Sequence, residues 1–201
     1  EETILKEDKH IISIDIFTDG SCINNGQKNK ETRCGMGVYF PDNQYNLNNI
    51  SKQCTTSKIS NNVAELMAIK EALYSVNTVI KDGNPYKLNT INLYTDSEYS
   101  IKILTKKNNY KTNRVLIESI FHIMSILNDS NIDINFAHVK AHTGKDDYLS
   151  KGNQFADKLA YDSINNLHVK EKQEKQEKKN VENDKSEEKD KHDKHDKHDK
   201  H

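Results

Sequence analysis

The chain has 201 residues, 30 Lys and Arg against 31 Asp and Glu, and a formal charge of −1. A near-neutral total gives no global electrostatic case for a nucleic-acid partner, so any such case has to be local. No run approaches the roughly 20 apolar residues of a membrane span, and the charged opening Glu1–His10 does not read as a signal peptide.

The average hides a split. From Lys170 to His201 there are 11 Lys, 11 Asp or Glu, four His and a single apolar residue, Val181. Such a stretch cannot bury enough surface to offset its ordering entropy. Within it Asp-Lys-His repeats four times from Asp190 to His201, a period that matches neither helix nor strand. Four His at this spacing could bind Zn²⁺ or Ni²⁺ weakly, and the plainer reading is a solvated extension. The preceding residues hold nearly all the apolar side chains and suffice for one domain with a core. Three cysteines, Cys22, Cys34 and Cys54, show no CxxC spacing. Free or buried thiols in a reducing, intracellular setting are the expectation, rather than a disulfide framework or a zinc site. The first residue is not Met, so targeting cannot be read from this end.

Ile11–Thr18 alternates Ile12, Ile14 and Ile16 with Ser13 and Asp15, which predicts a strand ended by Asp19-Gly20. Gly35–Phe40 reads as a second strand, stopped by Pro41-Asp42, and Ile50–Thr55 as a third. From Asn62 to Val79 the period becomes helical, with Val63, Leu66, Ile69, Leu73 and Val76 on one face, until Gly83, Asn84 and Pro85 break it. Thr90–Thr95 predicts a strand, Ser97–Leu104 and Val115–Leu127 predict helices, and Ile132–Val139 predicts a last strand. A polar loop leads to Gly152, and a final helix is expected from Asn153 to about Leu167. The order βββαβααβα predicts an α/β fold. Its mixed five-stranded sheet has three antiparallel strands, then parallel additions by right-handed crossovers, with helices on both faces. Residues 1–10 read as an N-terminal extension, 11–168 as the domain and 169–201 as a disordered charged tail.

Four acids stand at informative places. Asp19 ends the first strand and Asp96 the fourth, while Glu65 and Asp157 are expected in the first turns of their helices. Carboxyl ends of strands and amino ends of helices are where open sheets build sites. Each acid alone has a plainer reading. Asp19-Gly20 suits a turn, Asn62-x-x-Glu65 a capping box, Asp96-Ser97 a helix N-cap and Asp157 a helix dipole. Together, four converging carboxylates need a counter-ion, and hard divalent cations with oxygen ligands supply it, Mg²⁺ first.

The words around these acids carry more. They are Thr18-Asp19-Gly20-Ser21-Cys22 with Asn25-Gly26; Gly35-x-Gly37-Val38-Tyr39; Ser60-Asn61-Asn62-Val63-Ala64-Glu65; and Tyr94-Thr95-Asp96-Ser97. The last is His138-Val139-Lys140-Ala141-His142-Thr143-Gly144, closing with Gly152-Asn153-Gln154-x-Ala156-Asp157. In order and spacing, from about Ile11 to Ile164, the chain resembles the ribonuclease H type 1 family. The resemblance implies an RNase H-like fold and endonucleolytic cleavage of the RNA strand of RNA–DNA hybrids, leaving 5′-phosphate and 3′-hydroxyl ends. It implies two Mg²⁺ ions, with Mn²⁺ as a substitute, held by Asp19, Glu65, Asp96 and Asp157 in a two-metal mechanism. His142 matches the family's mobile histidine, suited to moving protons or helping product leave. His138 reads as structural.

Substrate residues follow from the same resemblance. Asn25, Asn61 and Asn62 match minor-groove contacts, as do backbone atoms around Ser21 and Cys22. Lys58 and Ser60 match a pocket for a DNA-strand phosphate, where the family usually has Arg and Thr, and Asn113 is a candidate third member. Lys102, Lys106, Lys107, Lys111 and Arg114 form an acid-free basic run that resembles the family's basic protrusion, with Tyr110 where Trp is common. The chain departs from the pattern in having no Trp, a shorter protrusion and an inserted Lys145–Lys151 stretch. No stretch resembles the amino-terminal hybrid-binding domain of some members. The expected protein is an intracellular monomer without membrane contact, its compartment, nucleus or organelle, undecided. Two other readings are the ribonuclease H domain of a retroelement reverse transcriptase and a catalytically inactive hybrid-binding module.

Overall fold

The fold is described from a computed structural model. The residues described are 12–165, except 29, 42–44, 57–58, 82–83, 85–86, 107–109 and 142–143. All but Asn165 lie in the unit Glu1–Ile164; Asn165 opens a second unit, Asn165–His201.

Strands β1 (Ser13–Ile23), β2 (Arg33–Tyr39) and β3 (Ile50–Gln53) form the expected antiparallel meander. Helix α1 (Asn61–Ile80) follows, then β4 (Thr90–Thr95), α2 (Glu98–Lys106), α3 (Arg114–Asp129) and β5 (Asp133–His138). A fourth helix, α4, spans residues 148–165. The sheet order is β3-β2-β1-β4-β5, with β4 parallel to β1 and β5 parallel to β4.

Alternation along the strands gives the sheet two apolar faces. Ile14 and Ile16 of β1, Val38 of β2, and Ile91 and Leu93 of β4 pack with Leu66, Ile69 and Leu73 of α1 and Ile117 and Ile120 of α3. Fully burying each such side chain contributes roughly 1.5–3 kcal/mol. The opposite face carries aromatic rings. Phe17 stacks on Tyr94 at 4.8 Å and meets Tyr148 edge-on at 5.7 Å, while Tyr39 stacks on Phe155 at 4.8 Å. Tyr148 and Phe155 belong to α4, so helices lie on both faces.

Three expectations need correction. Asp19-Gly20 is not a turn: β1 runs through it, and the ladder with β2 continues from Phe17↔Tyr39 to Ile23↔Arg33. Glycine is there for close packing, because a Cβ on Gly20 would run into the backbone of Ala64 and Glu65 in α1. The last helix begins at 148 rather than 153. Asp147 caps it, its Oδ1 accepting the Ser150 N–H at 2.8 Å, so part of the inserted polar stretch is helix. That bond holds the Asp147 carboxyl below its usual range. Gly152 therefore sits inside α4, where a Cβ would strike the Phe17 ring. Finally, two cysteines are not free thiols. Cys22 and Cys34 face each other across β1 and β2, 4.0 Å apart at Cα, and form a disulfide. Only the strand register brings them together. Cys54 stays free and buried, and burial pushes its thiol up to about 11.

Candidate active site

The β1–β4 ladder ends at the pair Thr18↔Thr95. The next residue after each of this pair is an acid, so Asp19, inside β1, and Asp96, just past β4, stand side by side. Two competing roles for Asp96 are settled locally. Ser97, not Asp96, caps α2: its Oγ accepts the Ser100 N–H at 3.3 Å. The Asp96 carboxylate is thus left for the site.

Glu65 comes from α1. Ser60 caps that helix, its Oγ accepting the Val63 N–H at 3.3 Å. The alternative of a capping box between Asn62 and Glu65 does not hold, because Ser60 is the cap, and Glu65 lies beyond the first turn in which it was expected, which holds no acid. It occupies the stripe that also buries Ala68, Ile69, Ala72 and Val76. A carboxylate on the core-facing side of a helix breaks the local pattern, as functional residues do. Gly20 lets the Glu65 backbone approach β1, which brings this carboxylate to Asp19.

The result is a tight trio. Asp19, Glu65 and Asp96 each offer an oxygen, all within 4.8 Å of one another. Asp19 is 6% and Glu65 4% exposed. Asp157 completes the expected four from the other face of the sheet. It comes within hydrogen-bonding reach of Asp19 but stands outside the tight trio. Because α4 starts early, Asp157 sits in the third turn, so the expected first-turn placement is wrong.

Electrostatics follow from this crowding. Burial first, then the charges of Asp96 and Asp157, push the Asp19 carboxyl up to about 8, against the Gly20 N–H that donates to its Oδ1 at 2.7 Å. Burial and the neighbouring Asp19 and Asp96 hold Glu65 well above the usual carboxylate range. Glu65 Oε2 is buried without any hydrogen-bond partner. An all-oxygen donor set with an orphaned carboxylate oxygen fits a hard divalent cation, which would supply the missing partner.

Asn153 was not singled out as a site residue from the sequence. It is 4% exposed, and its Nδ2 donates to Asp96 Oδ2 at 3.3 Å. The only sequence signal was its place in the word that ends in Asp157. His138, read as structural, pairs through Nε2 with the Asp96 backbone carbonyl at 3.2 Å.

The expected substrate residues scatter more widely. Ser21 and Cys22 continue β1 past Asp19, half-buried, and Asn25 is exposed in the following turn. Ser60, Asn61 and Asn62 come together at the start of α1, the two asparagines exposed. Asn113 is a left-handed residue, φ 58, just before α3. Lys106 is exposed at the end of α2. The Tyr110 ring packs on Phe121 with centroids 5.9 Å apart. Lys58, Lys107 and His142 lie outside the described residues. Among the described residues, no helix is long and apolar enough to cross a membrane.

A mixed sheet in this order, with acids just beyond the last pair of its β1–β4 ladder and on helices from both faces, defines the RNase H-like class. The family model for RNase H matches residues 12–165, and the chain belongs to that family, in its type 1 branch. It is similar to a Ribonuclease H of Schizosaccharomyces pombe, 31% identical over 80% of this chain and 54% of the relative. It is also similar to a Ribonuclease H of Clostridium botulinum, 28% identical over 77% of this chain and 97% of the relative. The chain thus spans about half the length of the first relative and nearly all of the second. Among solved structures, LC11-RNase H1 in complex with RNA/DNA hybrid has the same fold, with a TM-score of 0.56 and 23% identity over 77% of this chain and 98% of the neighbour.

Proposed function

We propose that the protein hydrolyses the RNA strand of RNA–DNA hybrids, leaving 5′-phosphate and 3′-hydroxyl ends. The observation that carries this reading is the trio of carboxylates, two of them buried, with no cationic side chain paired to any of the three among the described residues. Asp19, Glu65, Asp96 and Asp157 would hold two divalent cations, Mg²⁺ or Mn²⁺. When bound, such cations activate water for in-line attack on a phosphodiester and stabilise the departing oxygen.

The chain's own residues supply the rest. Asp19 is close to Glu65 and Asp96 and also within hydrogen-bonding reach of Asp157, so it would be the acid to serve both cations. Burial keeps bulk water from Asp19 and Glu65, which strengthens their hold on a cation. Exposed Asn61, Asn62 and Asn25, with the backbone of Ser21 and Cys22, are short polar groups suited to sensing 2′-hydroxyls across a minor groove. Ser60, Lys58 and Asn113 would receive a DNA phosphate, and Lys106, Lys107 and Tyr110 would grip the DNA strand further along. His142 would assist proton movement or product release. The LC11-RNase H1 neighbour, solved with a hybrid, supports the substrate class. Retention of all four acids weighs against an inactive binding module.

The test is a labelled RNA–DNA hybrid incubated with Mg²⁺, with Asp96→Asn as control. The expected result is RNA cleavage by the parent, and a variant that binds the hybrid without cutting it. A parent that binds the hybrid and leaves it intact would sink the enzyme reading.

A further inference from the structure

Asn153 is a neutral side chain buried among acids. Its relative exposure is 4%, and its two polar atoms are treated differently by the fold. Nδ2 donates to Asp96 Oδ2 at 3.3 Å, across 57 residues of sequence. Oδ1 is buried and has no hydrogen-bond partner. Leaving a buried acceptor without a partner is costly, so a purely structural position would favour an apolar residue or a satisfied one. Asn153 lies on α4, one helical turn before Asp157, so both project from the same face toward the sheet. It also lines a cavity of about 20 Å³ shared with Asp157, Ser150 and Lys140, which is room for one water.

We propose that Asn153 is a positioning residue for the cation site: its amide fixes one oxygen of Asp96 so that the other faces Asp19 and Glu65. The inference rests on the cation site proposed above. The chemistry explains the residue type. A carboxylate ligand rotates about its terminal torsion unless one oxygen is held, because that torsion is soft. A Lys or Arg in this place would hold it too, but would neutralise a charge that the cations need. An amide donates the hydrogen bond and adds no charge. Its carbonyl then remains as an acceptor in the same buried spot, able to take a hydrogen bond from a cation's hydration shell. Groups that orient metal ligands in this manner typically change affinity 10–100-fold when removed.

The experiment titrates the metal-free full chain with Mn²⁺, followed by the loss of the free-ion paramagnetic resonance signal. Asn153→Ala is expected to weaken Mn²⁺ binding at least tenfold, with an unchanged circular-dichroism spectrum. Its cleavage rate should recover at high metal, so that the metal requirement moves more than the maximal rate. If the alanine variant does not fold, Asn153→Ser, small enough to admit a water, carries the same expectation. A second arm repeats the change in an Asp96→Asn background. There, removing Asn153 should cost little further affinity, because its target is already altered. A folded variant that binds Mn²⁺ within twofold of the parent, or a full additive loss in the Asp96→Asn background, would overturn the proposal and leave the cation site standing. A parent that takes up no Mn²⁺ overturns both.

Discussion

Cation binding should expel protons, and the structure sets how many. Asp19 in the metal-free protein is pushed up to about 8 by burial and by Asp96 and Asp157. At pH 7 a group at that value is about nine-tenths protonated, so a cation that needs its carboxylate releases about 0.9 proton from this residue. Glu65, also held above its usual range, adds to that figure. At pH 9 the Asp19 contribution falls to about 0.1. From Asp19 alone, apparent Mg²⁺ or Mn²⁺ affinity should therefore rise about ninefold between pH 6 and 7, about fivefold between 7 and 8, and level off above. Stability of the metal-free protein has the opposite sign. A folded-state value raised above the unfolded one makes a contribution that is full below about pH 4 and is lost as pH rises through about 8, at up to about 1.4 kcal/mol per unit. Calorimetric titration with Mn²⁺ in buffers of different ionisation heat measures the released protons directly. Release near zero at pH 7, the same in every buffer, would refute the reasoning, since it would mean that the carboxylates were already ionised.

Other outcomes follow from single contacts. Asp19→Asn should reduce cleavage at least about 100-fold, as loss of one transition-state contact typically does. At pH 9 without metal the same variant should be more stable than the parent by about 1 kcal/mol or more in urea melts, because a buried charge is gone. Gly20→Ala should cost about 1–3 kcal/mol by overpacking and should weaken cation binding as well, since the added Cβ pushes on the Glu65 backbone. Ser60→Ala should lose about 1 kcal/mol with the cap of α1. Ser60→Asp should keep the cap but weaken hybrid binding, measured by fluorescence anisotropy, if a DNA phosphate lies there. Deleting residues 170–201 should leave hybrid cleavage within about twofold of the full chain.

Legibility in the sequence tracked how local each signal was. β4 is legible to the residue because Ile91, Leu93 and Thr95 alternate with the less buried Thr90, Asn92 and Tyr94. α1 is legible from its apolar stripe, but its first turn is not, since Ser60 and Asn62 are equally good caps by residue type and only the backbone selects Ser60. The start of α4 is not legible because Lys145–Lys151 is mostly polar, with only Tyr148 and Leu149 to hint at a helical face, and the Asp147 cap is masked by its charged surroundings. Gly20 and Gly152 read as punctuation, yet both mark close approach of one element to another. The Cys22–Cys34 bond depends on ladder register, which spacing alone does not encode. The four acids were legible only as a set, through the words around them. Asn153 needed three dimensions, because its role exists only through Asp96, 57 residues away.

The most direct test is crystallographic. Crystals of the Asp96→Asn protein with an RNA–DNA hybrid, and of the parent without it, would be soaked in Mn²⁺ and its anomalous signal mapped. The expected result for the parent is cation density touching Asp19, Glu65 and Asp96. With hybrid bound, a second peak should lie about 4 Å from the first, beside Asp157 and the scissile phosphate. Mn²⁺ peaks remote from these four carboxylates, or a hybrid seated away from them, would contradict the assignment.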